Sequence, residues 1–426
     1  MTSAYPNSYY AATAKKTAPL VRLDGDMSCD VCIIGAGYTG LSAALHLAEQ
    51  GYRPIVLEAE RIGWGASGRN GGQLGTTLRK SQDELEALYG LETTHALWDL
   101  AKDSVDTVKD LIERYEIECD LTPGLLHAAW KRRDADWLEE DVHHMREEYG
   151  YHKLRYISRG EMREMVASEC YHGGALDQGG AHLHPLNYAL GLARAATEKG
   201  ATIFEESRVL ELTPGEPVLV RTETGTVKAD QVVIACNGYL GKLLPDVNGY
   251  IMPINNFIIA TEPLGEEGAR ALIRDNVAVA DTKFVIDYYR LSEDGRLLFG
   301  GGENYSPKFP KDIAAFVKKP MLRVFPQLKD VRIDYAWGGT LAITLSRMPQ
   351  FGRLGPNMLF AHGYSGQGIN VATLGGKLIA ETINGDAKGF DLLSQLPATK
   401  FPGGTLLRFP GLVAGMLFYA MKDRLP

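Results

Sequence analysis

A chain of 426 residues is long for one hydrophobic core and predicts about two domains. Its 45% hydrophobic and 23% charged residues are those of an ordinary globular protein. The formal net charge of −8 argues against a nucleic-acid partner and leaves cations and neutral amines as easier guests. Five scattered cysteines, an odd number, argue against a disulfide framework and suit a reducing compartment.

Residues 1–26 carry Tyr5, Tyr9 and Tyr10 among small polar residues, without the basic patch and apolar core of a secretory leader, so a cytoplasmic location is expected. A short β-branched run at residues 31–34 then enters Gly35-Ala36-Gly37-Tyr38-Thr39-Gly40, followed by residues 41–48 with helical periodicity. Strand, glycine turn and helix in this order form a dinucleotide fingerprint. Gly35 permits the tight turn, Gly37 lets backbone approach a pyrophosphate, and Gly40 lets helix pack on strand. Cys29 and Cys32 have C-x-x-C spacing, but an offset of three on a strand is expected to point them to opposite faces. No metal site is predicted there.

A second apolar strand at residues 53–57 ends at Glu58, 23 residues after Gly35, where a carboxylate accepts ribose hydroxyls and repels a 2′-phosphate. Residues 61–73 hold five glycines in thirteen positions and predict a loop that lets backbone come close to something flat or anionic. The expected cofactor contacts here are Ala59, Arg61, Gly65, Ala66, Ser67, Gly68, Arg69, Asn70, Gly71, Gly72 and Gln73, with Trp64 also singled out.

Residues 81–149 predict amphipathic helices covering a sheet, then a turn and strand over 123–130. His127, His143 and His144 read best as packed or solvated side chains, and His182 and His184 lack a carboxylate or cysteine partner at metal-binding spacing. Strands are expected at 202–204 and 207–212. Another, at 231–235, ends in Cys236-Asn237-Gly238. Between 250 and 302 the alternation predicts strands at 256–261, 284–290 and 296–300, the last two joined by a turn at Glu293-Asp294-Gly295, with Tyr288 and Arg290 sharing one face. A strand at 357–361 leads through His362 to Gly363-Tyr364-Ser365-Gly366-Gln367-Gly368 and a helix over 371–383. This second glycine turn at a helix start offers an anion site for the other end of the same cofactor. No second glycine fingerprint follows Glu58, so no separate NADPH pocket is expected and electrons must come from the substrate. The apolar residues 412–421 are too few to span a bilayer, which needs about 20.

The fingerprint, the 61–73 loop, Tyr288-Tyr289-Arg290, the run Leu345-Ser346-Arg347-Met348-Pro349-Gln350-Phe351-Gly352 and the 363–368 turn resemble the FAD-dependent amine and amino-acid oxidases related to D-amino acid, glycine and sarcosine oxidases. Within them, the chain most resembles gamma-glutamylputrescine oxidases. The resemblance implies an α/β (α+β overall) architecture, with a Rossmann-like FAD-binding domain over 26–84, 151–245 and 336–426 and a largely antiparallel substrate domain over 85–150 and 246–335. It implies non-covalent FAD, with Val209 backbone at the adenine and Cys236, Asn237 and Gly238 beneath the cofactor. The implied reaction is oxidation of a primary amine by hydride transfer to flavin N5, giving aldehyde and ammonia, with molecular oxygen reduced to peroxide. Tyr288, Arg290, Trp337 and Gln73 are the candidates for the substrate pocket. A D-amino acid or glycine oxidase using Arg290 for the carboxylate, a quinone-linked dehydrogenase, and a non-catalytic flavin-binding module are the alternatives.

Overall fold

The computed structural model describes residues 4–304 and 308–404, so the apolar 412–421 stretch lies outside the described residues. Two sheets carry the fold. The first runs in the order Gln350–Leu354, Met358–His362, Thr226–Ile234, Met27–Ile34, Pro54–Leu57, Thr202–Phe204. All neighbours are parallel except the Gln350–Leu354 edge, and a short meander, Glu211–Thr213 and Val218–Arg221, extends Thr226–Ile234. Parallel strands need cover on both faces, which is why these segments read as unbroken apolar runs.

Three helices, Tyr38–Glu49, Pro185–Glu198 and Gly368–Ile383, pack over this sheet. Their approach is set by small residues. A Cβ on Gly376 would lie 2.4 Å from the Thr39 carbonyl oxygen and 2.5 Å from the Ala43 nitrogen, so Tyr38–Glu49 and Gly368–Ile383 touch backbone to backbone. The Thr39 and Tyr364 hydroxyls, 2.5 Å apart, tie the two glycine-rich turns together.

The second sheet runs Ile333–Ile343, Met252–Thr261, Leu297–Asn304, Tyr288–Leu291, Ala278–Asp281, Thr122–Ala128, Gly174–His182, Gln73–Leu74, with Leu154–Ile157 on Gly174–His182. It is antiparallel except between Ala278–Asp281 and Thr122–Ala128. The turn between Tyr288–Leu291 and Leu297–Asn304 forms as expected, with Gly295 at φ 72°.

Several boundaries differ from the sequence reading. Gln73–Leu74 and Gly174–His182, expected in the nucleotide unit, are strands of the second sheet, and Ile333–Ile343 runs past the expected break at 335. Helix Leu91–Arg114, expected with the substrate unit, packs on Gly368–Ile383 instead. Lys377 pairs with Asp103 at 2.8 Å, and Asn370 donates to the Ser104 hydroxyl at 3.0 Å. Which sheet a strand joins depends on long-range partners that its own alternation does not encode. Residues 207–210 are not strand. Residues 282–287 form a turn rather than the start of the Tyr288–Leu291 strand, because the Asp281 carboxylate accepts the N–H groups of Lys283 and Asp287. Cys29 and Cys32, expected on opposite faces, pack in one apolar cluster as free thiols.

The N-terminal segment crosses the body. Helix Tyr9–Thr13 is capped by Ser8, its Tyr9 and Tyr10 are buried, and the Tyr9 hydroxyl donates to Asp294 at 2.9 Å. Among the described residues no helix is long and apolar enough to cross a membrane, and no His, Cys, Asp and Glu cluster could hold a metal ion.

Candidate active site

A cavity of about 530 Å³ runs from the end of Met27–Ile34, past both glycine-rich turns, to the inner face of the second sheet. Its first part is built by the fingerprint. Gly35 has φ 106°, which a side chain rarely adopts, and a Cβ on Gly40 would lie 1.9 Å from the Gly35 carbonyl oxygen. Only glycine lets this helix start so close to its strand. A Cβ on Gly37 would meet the Ser67 hydroxyl at 2.9 Å. That hydroxyl accepts the Tyr38 N–H at 3.1 Å, bringing the 61–73 loop against the helix start.

Glu58 lies across the turn. Its carboxylate accepts the N–H of Ala36 at 2.7 Å and of Glu60 at 2.9 Å while facing the cavity. Burial raises its pKa and the two backbone donors pull it back. Ala59, Val209, Cys236 and Asn237 line this end as well, with Arg208 and Glu60 paired at 2.5 Å. Burial pushes the Cys236 thiol up to about 12.

The loop continues the wall through Gly65, Ala66, Ser67, Arg69, Asn70, Gly71 and Gln73. Asn70 holds the loop by donating to the Ala66 and Ser67 carbonyls, both at 3.1 Å, and accepting the Gly72 N–H at 2.8 Å. Arg69 stacks on Trp64 with its guanidinium carbon 4.0 Å from the ring centre and donates to the Trp64 and Gly338 carbonyls. Its other terminal nitrogen, Nη2, is buried without a partner. Gln73 lines the cavity but spends its amide on the Val279 carbonyl at 2.8 Å.

The late turn meets the same space. Tyr364, Ser365, Gly366, Gln367 and Gly368 line it, and Ser365 has a left-handed backbone, φ 51°. Helices Tyr38–Glu49 and Gly368–Ile383 both begin at the cavity wall, and neither has a side-chain cap at Gly37 or Gln367. Uncapped helix starts present N–H groups and a positive dipole end. Two such starts, a half-buried carboxylate and an unpartnered arginine nitrogen match the phosphates, ribose and polar ring edge of FAD.

Of the expected site residues, Gly40, Arg61, Gly68, Gly72, Gly238 and Gly363 do not line the cavity and act behind it. Arg61 pairs with Glu205 at 2.7 Å, and a Cβ on Gly68 would lie 2.3 Å from the Gly63 carbonyl oxygen. Tyr288 does face the cavity, its hydroxyl donating to Asn256 Oδ1 at 2.5 Å. Arg290 does not. It is buried, and its guanidinium donates to the carbonyls of Gly71 at 2.9 Å and Leu291 at 3.1 Å and to the Tyr10 hydroxyl at 3.3 Å. Trp337 is likewise behind the wall, its indole N–H on the Arg69 carbonyl at 3.0 Å. Both were expected in the pocket; for Arg290, strand alternation gives the face it shares with Tyr288 but not the 61–73 loop that covers it.

Sequence reasoning missed Tyr239, Phe284, Ile286, the backbone of Gly339 to Ile343, Arg79 and Arg347 on the wall. Thr340 and Leu341 continue Trp337-Gly338-Gly339, a glycine pair within a strand that admits Phe257 against Gly338 and Arg69 against Gly339. His182 and His184 hold structure: His182 Nε2 faces the Asn276 carbonyl at 2.7 Å, and His184 Nδ1 accepts the Asn187 N–H at the helix start.

Residues 30–382 match the FAD dependent oxidoreductase family (DAO). The chain is 45% identical over 422 residues to the Gamma-glutamylputrescine oxidoreductase of Escherichia coli (strain K12), covering 99% of each chain. It is 40% identical over 421 residues to the Probable oxidoreductase OrdL of Rhizobium meliloti (strain 1021), covering 98% of this chain and 97% of the relative. The glycine oxidase of Geobacillus kaustophilus shares the fold, with TM-score 0.72 at 22% identity over 87% of this chain and all of that one. With the family match over residues 30–382 and a 45% identical relative along the whole chain, the chain belongs to the DAO family of FAD-dependent oxidoreductases.

Proposed function

We propose that the protein oxidises the terminal primary amine of a gamma-glutamylputrescine-like polyamine derivative, as part of putrescine breakdown. The observation that carries this reading is the 45% identity to the E. coli enzyme along 99% of both chains. The cavity supports it, because one continuous space joins the nucleotide end to an apolar and aromatic wall. Bound FAD would supply a two-electron acceptor for the carbon bearing the neutral amine, and water would convert the resulting imine to aldehyde and ammonia. With molecular oxygen as the final acceptor, the second product would be hydrogen peroxide.

The chain's residues bind, orient and exclude water. Phe284, Ile286 and Tyr288 present an apolar and aromatic surface for a four-carbon chain, and Asn256 fixes the Tyr288 hydroxyl. The start of Gly368–Ile383 would offer positive potential to a bound flavin that gains negative charge on reduction. Among the described residues no His lines the cavity, which supports non-covalent FAD. The Arg290 contacts favour an amine over an α-amino acid, since its donors are directed to Gly71, Leu291 and Tyr10.

The test is anaerobic mixing of the purified yellow protein with gamma-glutamylputrescine, putrescine, glycine and D-alanine, followed by admission of oxygen. Bleaching with gamma-glutamylputrescine and stoichiometric peroxide on re-aeration are expected. Bleaching by the amino acids alone overturns the reading, and bleaching without peroxide reassigns the acceptor.

A further inference from the structure

Among the described residues, five carboxamide side chains line the cavity: Asn70, Gln73, Asn237, Asn256 and Gln367. Three of them belong to the glycine-rich turns. Asn70 is used at both ends within the 61–73 loop, Asn237 Oδ1 accepts the Gly363 N–H at 3.0 Å, and Gln367 stands at the start of helix Gly368–Ile383. Gln73 and Asn256 are instead carried by strands of the second sheet, Gln73–Leu74 and Met252–Thr261.

Each of these two is held by one end only. Gln73 Nε2 donates to the Val279 carbonyl at 2.8 Å, and because a carbonyl can only accept, this bond fixes which way the amide faces. Asn256 Oδ1 accepts the Tyr288 hydroxyl at 2.5 Å. Among the described residues nothing bonds Gln73 Oε1 or Asn256 Nδ2, and neither atom is sealed in the interior as Arg69 Nη2 is. Both side chains are half-buried on the cavity wall, so Gln73 presents an acceptor and Asn256 a donor. The surface between them is continuous. Val279, which holds Gln73, precedes Ala280 on the wall; Ala280 pairs with Tyr288, and the Tyr288 ring reaches Asn256. A Cβ on Gly300 would lie 2.1 Å from that ring and one on Gly71 2.6 Å from it, so two glycines give the ring its place. Acceptor and donor therefore stand at opposite ends of a strip made by Ala280 and Tyr288.

We propose that Gln73 and Asn256 form the subsite for the secondary amide of the substrate, Gln73 Oε1 accepting the amide N–H and Asn256 Nδ2 donating to the amide carbonyl. This rests on the amine-oxidation reading above and narrows its substrate class to acylated diamines. A trans secondary amide carries one donor and one acceptor directed to opposite sides, the complement of what the two ends of the strip offer. A free diamine brings methylenes or an ammonium to the same place and leaves both carboxamides unpaired. A site built to hydrogen-bond a substrate group discriminates in this way, because its own polar atoms lose their partners when the wrong molecule enters.

The test compares gamma-glutamylputrescine with the gamma-glutamyl ester of 4-aminobutanol, in which oxygen replaces the amide N–H, and with the corresponding 4-aminobutyl ether, which lacks the carbonyl as well. On the wild-type holoenzyme, kcat/KM should fall by about 10-fold from amide to ester and by about 10-fold again from ester to ether, one hydrogen bond at each step. Gln73→Met keeps the length of the side chain and removes the acceptor, and should bring amide and ester to within about threefold of each other. Asn256→Asp keeps the oxygen that accepts the Tyr288 hydroxyl and removes the donor, and should level ester and ether while the gap between amide and ester remains. FAD dissociation constants are measured on the same preparations and should change by less than about threefold. A wild type that oxidises the three amines equally, or variants that weaken FAD binding and leave the substrate ratios as they were, overturn the subsite. The wild-type comparison keeps its force where a variant does not fold. A wild-type flavin reduced by none of the three overturns the amine-oxidation reading instead, so the two failures are distinct.

Discussion

Replacing Arg290 by methionine separates a residue that supports the site from one that binds substrate. The side chain is 4% exposed, and its donors go to two backbone carbonyls and one buried hydroxyl. A hydrogen bond from a charged donor contributes about 1.5–3 kcal/mol, so loss of the Gly71 and Leu291 bonds gives about 3–6 kcal/mol before relaxation. Removing the buried cation recovers part of its desolvation cost, and methionine keeps most of the apolar stem. The net loss is about 2–4 kcal/mol, a large share of a typical stability of roughly 5–15 kcal/mol. Gly71 lines the cavity, and a Cβ on Gly72 would lie 2.8 Å from Arg290 Nε, so slack should appear in the loop against the cofactor. Urea unfolding at saturating FAD should show the stability loss together with weakened FAD binding. KM for gamma-glutamylputrescine should stay within about threefold, under 1 kcal/mol. Undiminished stability with a tenfold or larger rise in KM would refute the reasoning and put Arg290 on the substrate.

Gly40→Ala places a Cβ 1.9 Å from the Gly35 carbonyl oxygen, so the helix must leave its strand; the variant should retain no FAD, measured as flavin absorbance per polypeptide. Gly368→Ala meets no protein atom within 4 Å and should fold normally, which makes it the control for the late turn; its FAD affinity reports cofactor contact there. Acid denaturation should release all the flavin into solution, as expected of FAD held without a covalent bond in a cavity that no described His lines; flavin precipitating with the chain would contradict this. Burial pulls His182, His184 and His362 down to about 3, so each is neutral when folded and protonated when unfolded between about pH 3 and 6.5. Their stabilisation is complete above about pH 6.5 and is lost as pH falls. His362→Gln should reduce the slope of unfolding free energy between pH 4.5 and 6 by up to about 1.4 kcal/mol per pH unit, measured by urea titration.

The nucleotide end was legible because its determinants are local. Gly35, Gly37, Gly40 and Glu58 sit at fixed offsets around one strand-turn-helix unit, and the structure puts all four where that unit requires. The late turn was legible for the same reason. The second sheet was readable strand by strand but not in its order, since Gln73–Leu74 and Gly174–His182 are joined to it by partners far along the chain. Arg290 shows the limit within a single strand. Alternation puts it on the face of Tyr288, yet the 61–73 loop covers one and leaves the other open.

The most direct test of the account is the rate at which gamma-glutamylputrescine, protiated or dideuterated at the carbon bearing the terminal amine, bleaches the flavin in anaerobic stopped flow. Cleavage of that C–H bond by the bound cofactor predicts a several-fold slower bleaching with deuterium and one aldehyde formed per flavin reduced. Equal rates with no aldehyde, or a flavin that stays yellow with both, would contradict it.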